Sequence, residues 1–247
     1  MTSYTVAVVS AGLSEPSSTK LLADRLAQAV RRAAAARGAR VEIVDVPLRG
    51  LARPIADTFV TGFAPPALQS ALDAVQSADA LIAVTPVFSA SYSGLFKSFF
   101  DAADPQGFVG KPVLLAATGG SARHSLVLDY ALRPLFAYLK AEPVATGVFA
   151  ATADFGSDSG SGSLNARVEH AGRQLVSALA DSAPMVAPPA SLGGGLPDVE
   201  DEIADDAVAR AARVHLGPEP SRVVARRRRD ADPFDSFVPF EQLLHRT

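Results

Sequence analysis

The sequence predicts a doubly wound parallel α/β sheet, and three observations carry that reading. Short apolar runs alternate with helical patterns five times along the chain. The runs are rich in Val, Ile and Ala without strict alternation, which marks parallel strands covered on both faces. The loops after the first, third and fourth runs are crowded with small hydroxyl residues, glycine or proline, as ligand-binding loops at the carboxyl ends of such a sheet are.

Taken in order, "YTVAVVS" precedes "STKLLADRLAQAVRRAAAARG", and "RVEIVDV" precedes "APPALQSALDAVQSA". "DALIAVT" leads to "GLFKSFFDAA", "KPVLLAAT" to "LVLDYALRPLFAYLKA", and "PVATGVFA" to "LNARVEHAGRQLVSALA". Five such units predict a five-stranded sheet with right-handed crossovers and helices on both faces; they are too few for an eight-fold barrel. Pro134 stands inside the fourth helical pattern, where it removes a hydrogen bond and crowds the carbonyl of Tyr130, so a kink or a bulge is expected there.

The predicted domain spans residues 1–182. From about Ala183 the chain turns Pro/Gly-rich and then acidic, and residues 183–247 read as a linker and C-terminal extension. That extension carries Phe234, Phe237, Phe240, Leu243 and Leu244, apolar residues expected to dock on a protein surface.

Composition excludes several functions. With 247 residues and 48% hydrophobic content the chain can build a real core, and a net charge of −3 gives no basic field for nucleic acid. The basic run Arg226–Arg229 has Asp230, Asp232 and Asp235 beside it and reads as a solvated or subunit-pairing cluster. The absence of cysteine removes disulfides, thiolate metal sites and a cysteine nucleophile. The histidines at 124, 170, 215 and 245 show no i, i+4 pair, so a transition-metal site is not expected. No signal peptide or membrane span is expected, which places the protein in the cytoplasm.

Three loops carry the expected chemistry. After the first strand, "SAGLSEPSSTK" offers Ser10, Ser14, Ser17, Ser18 and Thr19 around Gly12 at the start of a helix. Helix-terminal amides and hydroxyls suit a phosphate monoester, and Ser17 or Ser18 equally suits a helix cap. Neither a P-loop nor a dinucleotide fingerprint is present. After the third strand, Pro86, Val87, Phe88 and Ser89 open a polar and aromatic segment against which a flat ring can lie; Ser93 as a helix cap, with Phe88 and Tyr92 as packing residues, is the competing reading. Pro86 is expected to end the strand ladder. After the fourth strand, Thr118, Gly119, Gly120, Ser121 and His124 combine backbone amides, close approach and one histidine that either meets ligand or begins the next helix. A phosphate loop without a lysine and two ring-facing loops imply a mononucleotide with a flat ring, FMN above all.

The stretches "ADALIAVTPVFSASYSGLFKSFFD", "ATGGSARHSLVLDYALRPLFAYLKA" and "GVFA" resemble the flavodoxin-like, NAD(P)H-dependent FMN reductases that supply reduced flavin to two-component monooxygenases, typified by the alkanesulfonate monooxygenase partner. The resemblance runs from about Thr5 to Asp181. It implies FMN and NADPH or NADH as ligands, a flavin phosphate at Ser10, Ser17, Ser18 and Thr19 with Gly12 shaping the turn, and an isoalloxazine against Pro86, Val87, Phe88, Ser89, Thr118, Gly119 and Gly120. It also implies homo-oligomerisation through a π-helical insertion at Tyr130, and a monooxygenase partner. Two departures stand out: the Phe88 position is usually tyrosine, and the phosphate loop lacks the arginines often found there. Hydride transfer to flavin N5 needs alignment rather than an acid or base, so no catalytic side chain is assigned. The rival readings are a quinone, azo or chromate reductase that retains FMN and a flavodoxin-like electron carrier. Arg49, Arg53 and Arg123 either meet a 2′-phosphate or are simply solvated, so the choice between NADPH and NADH is not read from the sequence.

Overall fold

The computed structural model describes residues 2–156 and 163–182; the extension expected over 183–247 lies outside the described residues. Four strands set the order of the sheet. β1 (Ser3–Ser10) pairs in parallel with β2 (Arg40–Pro47) on one side and β3 (Ala80–Phe88) on the other, and β3 pairs with β5 (Pro112–Gly119). The fifth position is shared. Glu142–Pro143 (β6) pairs with the start of β5 and Val148–Ala151 (β7) with its end, while Ser91–Tyr92 (β4) folds back antiparallel on β3. The sheet therefore has seven strands in five positions, ordered β2-β1-β3-β5-β6, rather than the five unbroken strands the sequence suggests. The interruption falls at "VATG", where the Arg133 guanidinium takes the carbonyls of Val144 and Ala145 and Gln174 accepts from the Thr146 amide.

Alternation along each strand feeds two cores. Ala7, Val9, Leu81, Ala83, Val113 and Leu115 face one side, and Val6, Val8, Ile82, Val84, Leu114 and Ala116 the other. The second side is covered by α1 (Ser18–Ala35) and α6 (Leu164–Ser182). These two helices cross closely because Gly172 meets Ala29: a Cβ at 172 would stand 3.1 Å from both the Ala29 carbonyl carbon and its Cβ.

The first side is covered by α2 (Ala52–Thr61), α3 (Pro66–Ser77), α4 (Gly94–Asp101) and α5 (Arg133–Tyr138). Phe100 is the hub of its aromatic packing, with ring centroids 4.8 Å from Phe96, 5.4 Å from Phe99, 5.6 Å from Phe108 and 5.0 Å from Phe136. Helix α2 is not evident in the sequence pattern, since Pro54 and a β-branched end hide it and only Ile55 is buried. At Pro134 the bulge is realised as a π-helix over Leu128–Leu132, immediately followed by α5. The wide turn accommodates the ring where an α-helix would need an N–H to the Tyr130 carbonyl.

Lys111 closes the end of α3. Its ammonium is buried and donates to the carbonyls of Val75 and Gln76, each at 2.7 Å. Burial lowers its pKa to about 8, and the charge of Asp79 opposes that only in part. In the unfolded chain the group returns toward 10.5. Between those values the unfolded state holds a proton the folded state has lost, so stability rises with pH across that window, by about 3 kcal/mol at most. Urea unfolding from pH 7.5 to 10.5 is expected to show this rise and Lys111→Met to flatten it; parallel slopes for the two proteins would refute the assignment.

Candidate active site

The ends of β1, β3, β5 and β7 meet one loop, Ala11–Ser17, that passes through a cis Glu15–Pro16 bond into α1. Ser17 caps the helix, its hydroxyl accepting from the Lys20 amide at 3.2 Å. The Leu21 amide takes the Ser17 carbonyl, and among the described residues the amides of Ser18 and Thr19 are the free donors of the first turn. Gly12 packs directly behind this cap. A Cβ there would lie 2.0 Å from Ser17 Oγ, 3.1 Å from Ser17 Cβ and 3.2 Å from Thr19 Cβ.

One buried bond joins the loop to the rest of the site. Thr19 Oγ1 and Thr118 Oγ1 lie 2.8 Å apart, with both residues almost fully buried. Thr118→Val leaves the Thr19 hydroxyl buried without a partner, which is expected to cost about 1–3 kcal/mol. The Thr19→Val/Thr118→Val double variant, with both partners removed, is expected to be more stable than the single one in urea unfolding; strict additivity would contradict the coupling.

The segment after β3 is a hairpin rather than an open loop. Val87 pairs with Tyr92 and Phe88 with Ser91, and the turn residues Ser89 and Ala90 have φ of 48° and 64°, the type I′ pattern. Pro86 does not end the ladder as the sequence suggests; it lies opposite Thr118 within the β3–β5 pairing. The Val84 carbonyl accepts from the Ala11 amide at 3.0 Å, so two residues further on the Pro86 backbone faces the same side. There β1 has already ended at Ser10, and the missing N–H costs no ladder bond. Buried Thr85 ties the hairpin down: it accepts from the Ser93 amide at 3.0 Å and donates to the Pro86 carbonyl at 3.0 Å. Ser93 in turn caps α4 by accepting from the Phe96 amide.

These pieces enclose a cleft of about 340 Å³. Ser17, Ser18, Thr19, Pro86, Val87, Phe88, Thr118, Gly119 and Gly120, all marked by the sequence, line it together. Leu13, Ser14 and Thr152 line it as well. Thr152 directly follows β7, and extending the same reasoning to the loop after the fifth strand finds it. Gly119 is required by its neighbour, because a Cβ would sit 2.9 Å from the Phe149 ring. Ser10 and Gly12 line an adjoining lobe of about 660 Å³ instead, while Ser89, Ser121 and exposed His124 line neither.

Among the described residues, no charged one lines the first cleft. An anion there would be met by the helix dipole, two free amides and hydroxyls, and a flat ring by proline, phenylalanine and paired glycines. Ser10 Oγ, buried and without a hydrogen-bond partner, is a further donor beside the loop. This donor set fits a flavin mononucleotide. Among the described residues, no helix is long and apolar enough to cross a membrane.

Strand order and cleft together define a flavodoxin-like, mononucleotide-binding α/β protein. A family model described as NADPH-dependent FMN reductase matches residues 4–156, and the chain belongs to that family. Its relatives include an FMN reductase (NADPH) of Pseudomonas aeruginosa, 41% identical over 152 residues that cover 62% of this chain and 79% of that protein. The NADH-dependent FMN reductase SfnF of Pseudomonas fluorescens is 39% identical over 150 residues, 61% of this chain and 78% of that one. A solved oxidoreductase of Corynebacterium diphtheriae is 45% identical with a TM-score of 0.71, covering 74% of this chain and 100% of that one. The chain is thus an oxidoreductase that reduces FMN with a nicotinamide nucleotide.

Proposed function

We propose that the uncharged cleft holds FMN as an exchangeable substrate, and that the reduced flavin leaves for a flavin-dependent monooxygenase. In this reading Ser17, Ser18 and Thr19 bind the phosphate, with Ser10 and Gly12 shaping their loop. Pro86, Val87, Phe88, Thr118, Gly119 and Gly120 wall the ring. Bound FMN would supply the chemistry as hydride acceptor from the nicotinamide nucleotide. The protein contributes alignment, exclusion of water, and the amides of Gly119 and Gly120 as donors to the ring's carbonyl edge, where negative charge accumulates. The observation that supports the exchangeable character is the lining of the phosphate cradle, which among the described residues offers dipoles and hydroxyls but no cation, Lys20 and Arg49 lining the adjoining lobe instead. Exposed Tyr130, carried outward on the π-helix, supports homo-oligomerisation through that face, and the protein acts in the cytoplasm.

The test is steady-state oxidation of NADPH and NADH with FMN, FAD and riboflavin, combined with gel filtration of flavin-loaded protein. Turnover with FMN and loss of colour on the column are expected. Retained yellow flavin would overturn the exchangeable reading in favour of a reductase that keeps FMN for another acceptor.

A further inference from the structure

The adjoining lobe is the larger of the two, and it opens between the phosphate loop and the turn after β2. It shares Ser14 and Ser17 with the first cleft, so the two adjoin along the phosphate loop. Pro47 and Leu21 offer apolar wall, and Ser10, whose buried hydroxyl has no partner, lies among the lining residues.

The lobe's two cations differ in how firmly they are held. Lys20 pairs with both Asp24 and Asp45. Burial works against its charge, yet those two carboxylates hold its pKa above the ordinary lysine value. Arg49, in contrast, meets one carboxylate, that of Glu15 at 2.7 Å, and Glu15 is itself 81% exposed on the phosphate loop. A guanidinium has five donors in a fork suited to phosphate, and such an exposed pair contributes little stability. Glu15 therefore stands where a phosphate oxygen could take its place.

We propose that this second lobe is a subsite for the phosphorylated adenosine half of a dinucleotide, with Arg49 as the residue that reads phosphate and Glu15 as its counter-ion until the ligand arrives. Two dinucleotides carry that group here, the nicotinamide nucleotide and FAD. The inference rests on the reading of the first cleft as the flavin site, and its test separates the two. Calorimetric titration of the full chain with 2′,5′-ADP, with and without saturating FMN, reads the lobe directly, while flavin fluorescence gives FMN and FAD affinities on the same samples.

For a nicotinamide source, 2′,5′-ADP binds alongside FMN, Arg49→Ala weakens it roughly tenfold through loss of a charge-assisted contact, and Glu15→Gln tightens it several-fold. For a flavin source, Arg49→Ala lowers FAD affinity by a similar factor and leaves FMN affinity unchanged. Affinities for both 2′,5′-ADP and FAD that do not depend on Arg49, or 2′,5′-ADP displaced by FMN, overturn the proposal. Failure of FMN itself to bind the wild-type chain would instead refute the reading of the first cleft, and the 2′,5′-ADP titration would still report on the lobe.

Discussion

Gly12→Ala is expected to weaken FMN binding on the order of a hundredfold, the combined effect of a crowded loop and a disturbed helix cap. The added methyl carbon would lie 2.0 Å from Ser17 Oγ, well inside van der Waals contact. Ser17 can rotate away only by giving up the Lys20 amide, and the neighbouring contacts to Ser17 Cβ and Thr19 Cβ leave little room for the backbone to follow. Either relief alters the free amides of Ser18 and Thr19 on which the proposed phosphate site rests. The Ser17→Ala background isolates the cause. With Oγ gone, the further change at position 12 should cost far less than it does in the wild type. Fluorescence titration of the four proteins closes the cycle, and equal losses in both backgrounds would refute the steric argument.

Phe100→Ala is expected to destabilise the domain by about 4 kcal/mol and lower Tm by roughly 10 °C. Its ring touches the rings of four other phenylalanines, and the side chain is almost completely buried. Helix α4 is only eight residues long and its buried residues are Phe96, Phe99 and Phe100, so aromatic packing rather than helix propensity holds it in place. Because the first residues of α4 anchor the hairpin through Ser93 and Thr85, FMN affinity should fall along with stability. Phe100→Leu keeps most of the volume and should cost about 1 kcal/mol. Thermal unfolding of the two variants decides the matter: comparable losses for Ala and Leu would mean that the cavity is not the source.

Much of this architecture is legible because parallel strands must be apolar on both faces. "YTVAVVS", "DALIAVT" and "KPVLLAAT" announce β1, β3 and β5, and the rule that ligand sites lie at strand ends brings nine of the marked residues into one cleft. What the pattern hides are features decided by neighbours. Pro86 can stay in its strand because β1 stops beside it, a fact of register that local propensity does not contain. The fifth strand is divided because Arg133 and Gln174 satisfy the intervening backbone. Ser89 and Ala90 lack the Asn-Gly signature of a type I′ turn, so a hairpin reads as a loop. His124 is drawn to attention by its chemistry, yet its 3₁₀ turn leaves it exposed and outside the cleft.

The same hairpin has a kinetic consequence. Two non-glycine residues held in the left-handed region cost on the order of 1 kcal/mol each, so the folded turn stores strain beside the cleft. Phe88, half exposed on the strand leading into it, is the part of the proposed ring wall nearest that turn. Relieving that strain with glycine at 89 and 90 is expected to lengthen the residence time of whatever lies against Phe88, which a dissociation-rate measurement reads. In the proposed reading, in which reduced flavin passes to another protein, a short dwell would then come from the turn and not from a loss of the cleft's shape.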